Sequence, residues 1–241
     1  MTKGGINMAD ENHNELQPQP HRIVDDLPSE LSTGAAVKEV LNLTQKFDGE
    51  FKIRYQTALD LIVAKLNFID RSYQLEHDAT LIDSIQSRIK SPDSIVEKME
   101  RKQLNFTTDR IADYIRDIAG VRVITRFISD IETMQRLIKE QPDIQVVTEK
   151  DYVANPKANG YRSLHLIVEV PVYLSTGEER IPVEIQIRTI GMNFWASLEH
   201  ELNYKKDIPN KEQLRTDLTR KAHDITQLDE EMDDLRAKIR K

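Results

Sequence analysis

The chain has 241 residues, of which 39% are hydrophobic and 31% charged, and its formal net charge is −7. That length supports one substantial core, while the acidic balance argues against a general binder of DNA or another polyanion, which is basic overall. No cysteine is present, which excludes disulfides and thiolate metal sites and suits a reducing cytoplasm.

The polar N-terminus lacks the apolar run of a signal peptide, and no stretch is apolar enough to span a membrane. A soluble, cytoplasmic protein is expected. Residues 1–36 are rich in Asn, Gln, Pro and acids and read as a disordered tail. From Val37 to Glu76 the spacing is helical, with Leu59, Ile62, Val63, Leu66 and Ile69 at steps of three and four. His77-Asp78 reads as the end of that helix. Ser91 as N-cap and Pro92 as first helical residue open "SPDSIVEKMERKQ". "DRIADYIRDIAG" reads as a helix closing at Gly120. "VRVITRF" is a strand, and "SDIETMQRLIKEQPD" a helix capped near Ser129 or Asp130. "IQVVTEKDY" is a strand and "VANPKANG" a loop. "YRSLHLIVEVPVYL" and "RIPVEIQIRTI" form a long hairpin about the "STGEE" turn. "MNFWASLEHELNYKK" is helical, with Trp195 and Phe194 anchoring it to the sheet, and a last helix follows Pro209.

This order predicts an α/β (α+β) fold with a mixed sheet of about four or five strands. Helices flank the sheet and extend it at both ends. The expected divisions are a tail over 1–36, a main domain over 37–208 and an amphipathic helix over 209–241.

Three strands carry polar stripes. Arg122 shares a face with Ile124 and Arg126. Tyr161, Ser163 and His165 share a second, and Glu184, Gln186 and Arg188 a third, while Val183, Ile185 and Ile187 face the core. Each stripe alone reads equally as a solvated sheet face. Together, beside a Gly-containing loop and a basic helix, they read as a site. Ser94, Lys98 and Arg101 lie on one face of that helix, whose free N–H groups and neighbouring cations, Arg88 and Lys90 among them, suit a phosphate. The interleaved Asp93, Glu97 and Glu100 leave a solvated face as the alternative. Asp117 precedes the first strand and Glu184 lies in the last; carboxylates on neighbouring strands can share one Mg²⁺.

"RIKSPDSIVEKMERK", "DIAGVRV", "KDYVANPKANGYRSLH", "VEIQIRT" and "MNFWASLEHELNYK" occur in that order. From about residue 50 onward they resemble the synthetase domain of the RelA/SpoT homologue family, and a small alarmone synthetase in particular. The resemblance implies a nucleotidyltransferase-like fold and a GTP pyrophosphokinase of the stringent response. Such an enzyme moves pyrophosphate from ATP to the 3′-hydroxyl of GTP or GDP, giving pppGpp or ppGpp and AMP. It implies Arg88 and Arg122 on the adenine of ATP, where a planar guanidinium stacks better than an ammonium. Lys90, Lys98 and Arg101 fall on the ATP phosphates, with Ser94 assisting. Asp117 and Glu184 fall on Mg²⁺, Glu184 being also a candidate base. Tyr161 is implied on guanine, Lys157 and His165 near the acceptor's phosphates and ribose, and Gln186 and Asn193 as further acceptor contacts. Arg188 is left as structural or electrostatic. No hydrolase activity is expected. An AMP-transferring nucleotidyltransferase and a catalytically silent nucleotide-binding module are the alternatives.

In the last helix Leu214, Leu218, Ala222, Ile225, Leu228, Met232, Leu235 and Ile239 form a near-heptad stripe. It folds back on its own domain or joins subunits; the family resemblance favours the latter, in a homotetramer. Glu230, Glu231, Asp233 and Asp234 read as a solvated acidic face.

Overall fold

The structure is a computed structural model and describes residue 49 and residues 51–101, 114–204 and 209–239. The tail expected over 1–36, the start of the helical stretch from Val37 and residues 109–113 of "DRIADYIRDIAG" lie outside the described residues; of the rest of that segment only Tyr114 is helical. The first described helix, α1 (Lys52–His77), buries Leu59, Ile62, Leu66 and Ile69 along one side, as their spacing predicts. It ends where expected: Asp78 turns left-handed, with φ 49°, and its N–H reaches Gln74 O at 2.9 Å.

The next element, β1 (Ile82–Ile89), is a strand that the sequence reading did not single out. Its isoleucines stand at 82, 85 and 89, which mimics helical spacing. An irregularity between Ile82 and Ser84 shifts the alternation by one residue, so the period-two signal is broken. Helix α2 (Pro92–Arg101) begins as predicted: the Ser94 N–H donates to Ser91 Oγ at 3.3 Å. Strand β2 (Ala119–Thr125) already contains Gly120, so no helix closes on that glycine. Gly120 is not among the residues of positive φ; it is an extended residue paired with Arg88 on one side and Glu184 on the other.

Helix α3 (Ile128–Lys139) has Phe127 as N-cap and no capping side chain of its own. Ser129 falls in its first turn instead. Strands β3 (Gln145–Asp151), β4 (Leu164–Leu174) and β5 (Gly177–Thr189) follow, then helices α4 (Ile190–Tyr204) and α5 (Lys211–Ile239). The sheet order is β1-β2-β5-β4-β3. The β2–β5 pair is parallel and the others are antiparallel, which makes the predicted mixed sheet. One face carries Val121, Val123, Leu164, Leu166, Val168, Val183, Ile185 and Ile187, all buried in one core with α1. Each such side chain is worth about 1.5–3 kcal/mol when buried. A one-residue slip would expose them together, so the opposite, polar face is held in place by the core beneath it.

The stripe of α5 divides. Leu218, Ala222 and Ile225 pack with Trp195 and Ala196 of α4, whereas Leu214, Leu228, Met232, Leu235 and Ile239 are exposed. Trp195 thus anchors α4 to α5 rather than to the sheet, its indole N–H donating to Leu218 O at 2.8 Å, and Phe194 is exposed. The approach is close: a Cβ on Gly160, at φ +89°, would stand 2.4 Å from Ala222 Cβ. Asp233 is not part of a solvated acidic face. Its carboxylate accepts the Ser129 N–H at 3.1 Å and hydroxyl at 2.6 Å, so the cap that α3 lacks locally comes from α5.

Candidate active site

Strand pairing sets two rows across the polar face. Arg88, Gly120, Glu184 and Ile167 stand side by side in one; Gln86, Arg122, Gln186, His165 and Lys150 in the next. Gly120 leaves a gap in the first row between a guanidinium and a carboxylate. A cleft of about 260 Å³ opens there, lined by Gln86, Arg88, Asp117, Gly120, Arg122 and Glu184 with their neighbours.

At one end of the cleft Asp117 Oδ2 meets Lys90 Nζ at 3.0 Å and Lys98 Nζ at 2.6 Å. Lys90 follows β1 and Lys98 lies on α2, so this carboxylate gathers two elements. Burial alone would raise the Asp117 carboxyl, but the hydrogen bonds from Lys98 and Lys90 outweigh it and hold it below the ordinary carboxylate range. Its other oxygen, Oδ1, is sealed from water and accepts no hydrogen bond. Across the cleft Glu184 Oε2 accepts from Gln186 Nε2 at 2.8 Å, and Oε1 lies 3.2 Å from His165 Nδ1. Burial raises Glu184 and nearby Asp117 adds to that, yet His165 and Gln186 bring it below its ordinary value. Arg122 is lowered by burial and by the like charges of Arg188 and Arg88, and its Nε has no acceptor.

Beyond Gln186 lies an aromatic cluster. The Tyr161 hydroxyl is 2.8 Å from His165 Nε2 and 2.6 Å from an Arg188 nitrogen. Lys157 Nζ stands 4.7 Å from the ring centres of both Tyr152 and Tyr161. Two carboxylates therefore face a common space, with cations at one end and a cation-covered aromatic platform at the other. That arrangement fits a phosphate-bearing ligand in the cleft and a flat, electron-rich one beside it.

Comparison with known proteins decides the family. A family model described as a region found in RelA / SpoT proteins matches residues 87–209. GTP pyrophosphokinase YwaC of Bacillus subtilis is 46% identical over 178 residues, covering 74% of this chain and 85% of the relative. The chain belongs to the RelA/SpoT family. Small alarmone synthetase 1 from Bacillus subtilis, solved with its product pppGpp, shares the fold at a TM-score of 0.73 and 36% identity, over 80% of this chain and 98% of that one. The same synthetase bound to AMPCPP matches at a TM-score of 0.67 and 35% identity, over 81% of this chain and 99% of that one.

Of the RelA/SpoT positions expected from sequence, Arg88, Asp117, Arg122, Glu184 and Gln186 line the cleft. Lys90 and Lys98 reach it through Asp117, and His165, Tyr161 and Lys157 continue from Glu184. Three stand apart. Arg101 is exposed at the last residue of α2, the Ser94 hydroxyl accepts from the Ser91 hydroxyl at the cap, and Asn193 keeps a sealed, unbonded Oδ1 in the first turn of α4. Gln86 and Ser87 line the cleft but were not among the candidates, because they lie on the strand whose alternation is broken. Tyr152, edge-on to Tyr161 and His165, reads in the sequence only as the end of a strand. Its place in "KDYVANPKANGY", nine residues before Tyr161, was the available signal.

Proposed function

We propose that this chain is a GTP pyrophosphokinase, transferring the β,γ-pyrophosphoryl group of ATP to the 3′-hydroxyl of GTP or GDP. The observation that carries this reading is the pair Asp117 and Glu184 facing one cleft, with Lys90 and Lys98 already gathered on the first. The names and bound nucleotides of the relatives support it. The 3′-oxygen attacks the β-phosphorus, the bond from that phosphorus to the α,β-bridging oxygen breaks, and AMP leaves with that oxygen. Glu184 takes the hydroxyl proton. Arg88 and Arg122 hold the adenine between guanidinium planes, and Lys90 and Lys98 offset phosphate charge; Arg101 as a further cation and Ser94 as a hydroxyl donor are assigned to the same phosphates by the family resemblance alone. Lys157, His165, Gln186 and Asn193 serve the acceptor.

Divalent metal suits the cleft. Among the described residues no three or more metal-ligating side chains cluster, but Mg²⁺ commonly takes one or two carboxylates and completes its shell with substrate phosphates and water. The sealed, unbonded Asp117 Oδ1 and Glu184 are the fitting donors. Bound there, Mg²⁺ would neutralise phosphate charge. Incubation with ATP, GTP and Mg²⁺ should yield AMP one-for-one with a more highly phosphorylated guanosine nucleotide. Release of pyrophosphate with AMP attached to the acceptor, or no turnover, overturns the reading.

Tyr161 is the stacking partner of the acceptor's guanine. Tyr161→Ala should weaken guanine nucleotide binding by about 1–3 kcal/mol and ATP binding less, as read by calorimetry; equal losses would make Tyr161 scaffold.

The synthetase domain spans 37–208, and the 209–241 arm serves assembly into a homo-oligomer, a tetramer being favoured. Support comes from the apolar residues of α5 that its own domain leaves exposed, Leu228, Met232, Leu235 and Ile239. Light scattering should give a particle larger than a dimer, and Leu228→Asp with Leu235→Asp should reduce it without unfolding. A monomer at micromolar concentration defeats this assignment and leaves the chemistry untouched.

A further inference from the structure

Arg188 is only 5% exposed, and its guanidinium meets neutral groups. One terminal nitrogen donates to the Tyr161 hydroxyl oxygen at 2.6 Å and to Gln186 Oε1 at 2.8 Å, and Nε donates to Ser163 Oγ at 3.3 Å. No described carboxylate touches it. Burying a cation against hydroxyls and an amide is costly, so its retention calls for a gain elsewhere.

The two arms from that single nitrogen meet again at Glu184. A guanidinium only donates. The Tyr161 oxygen accepts from Arg188, which turns its own hydrogen away from that donor and leaves it free for His165 Nε2, 2.8 Å away. An imidazole with one hydrogen then holds it on Nδ1, facing Glu184 Oε1 at 3.2 Å. On the other arm Gln186 Oε1 is occupied by Arg188, so its Nε2 is the atom that faces Glu184 Oε2, at 2.8 Å. Reversing either arm would put two acceptors against each other.

We propose that Arg188 is a positioning residue for the transfer step: it sets the donor–acceptor sense of a closed circuit, Arg188–Tyr161–His165–Glu184–Gln186. The circuit presents an N–H to each oxygen of Glu184 and leaves the remaining lone pairs for the cleft. It rests on the reading of Glu184 as the group that takes the acceptor's proton. Tyr161 has two separable parts in this scheme, a ring for the guanine and a hydroxyl for the circuit. Arg188 acts on the reaction without touching either nucleotide.

Two variants test this. Arg188→Lys keeps a buried cation but loses the fork that reaches Tyr161 and Gln186 together. Tyr161→Phe keeps the ring and removes the hydroxyl. Each should lower kcat by about 10–100-fold, the usual effect of losing a group that orients a catalytic ligand. KM for ATP and for the guanine nucleotide should stay unchanged. The double variant should be no slower than the worse single one, since both break the same circuit. Independently of turnover, nitrogen NMR of histidine-labelled protein should show His165 protonated at Nδ1 and bare at Nε2, and both variants should lose that fixed tautomer. Unchanged kcat, losses that multiply in the double variant, a rise in KM alone, or the opposite tautomer overturns the proposal. Should Arg188→Lys fail to fold, Tyr161→Phe decides alone, by kcat and by the His165 spectrum. A wild-type protein that makes no pppGpp would sink the reading of the function, while the tautomer still decides the circuit.

Discussion

Asp117→Asn and Glu184→Gln should each cut pyrophosphoryl transfer by on the order of 100-fold or more, the loss seen when one group that stabilises developing charge is removed. The two losses have different origins. Asp117 is the carboxylate that draws Lys90 and Lys98 together through Oδ2. An amide there retains an acceptor but no charge, so the two ammonium groups repel, and the sealed Oδ1 no longer offers a charged donor to a cation. Glu184 loses its role as proton acceptor, and its amide also puts a donor against His165 Nδ1 or Gln186 Nε2, which already donate. Both substitutions keep side-chain volume away from the core of Val183, Ile185 and Ile187, so Glu184→Gln should leave the thermal transition near wild type, while Asp117→Asn, which unpairs Lys90 and Lys98, should lower it without abolishing the fold. Turnover near wild type at saturating Mg²⁺ would remove that carboxylate from the mechanism.

Arg236→Ala should lower the unfolding free energy by about 3–5 kcal/mol, the cost of breaking a buried ion pair from one side. Arg236 is half-buried on α5, over the Phe127 ring at 4.4 Å, and its guanidinium binds Asp130 of α3, which is only 2% exposed. With Asp233 on Ser129, and with Asp229 Oδ2 accepting from Thr189 Oγ1 at 2.6 Å, it makes one strap. That strap ties α5 to the start of α3 and to the junction of β5 with α4. Thr189 in turn accepts the Met192 N–H at 3.0 Å, so the strap ends at the residue after Arg188. Urea unfolding measures the loss. A change within the ±0.5 kcal/mol usual for surface substitutions would show that the Arg236–Asp130 pair does not hold α5. The Ala variant should also report on activity, because the C-terminal end of β5 carries Gln186 and Arg188.

By itself the sequence determined the class and the floor of the site. Alternation in "VEIQIRT" assigns Val183, Ile185 and Ile187 to the core and Glu184, Gln186 and Arg188 to the other face, because successive strand residues point oppositely. The cap at Ser91, the stop at His77 and the long hairpin follow from equally local chemistry. Five ordered motifs named the family before any coordinate did. What required the tertiary structure is whatever depends on a partner far along the chain. "IDSIQSRI" became an edge strand because β2 was there to pair with it, against a spacing that imitates a helix. Gly120 went into the sheet for the same reason, between Arg88 and Glu184. Ser129 and Asp130 were matched to the start of α3, but their partners are Asp233 and Arg236, about a hundred residues away. The apolar stripe of α5 carries one period along its whole length. Only the position of Trp195 and the closeness of Gly160 decide that its middle folds inward while the rest stays open. The Arg188 circuit is half local: alternation puts Glu184, Gln186 and Arg188 on one face, but the arm through Tyr161 and His165 closes on Glu184 only because β4 pairs with β5.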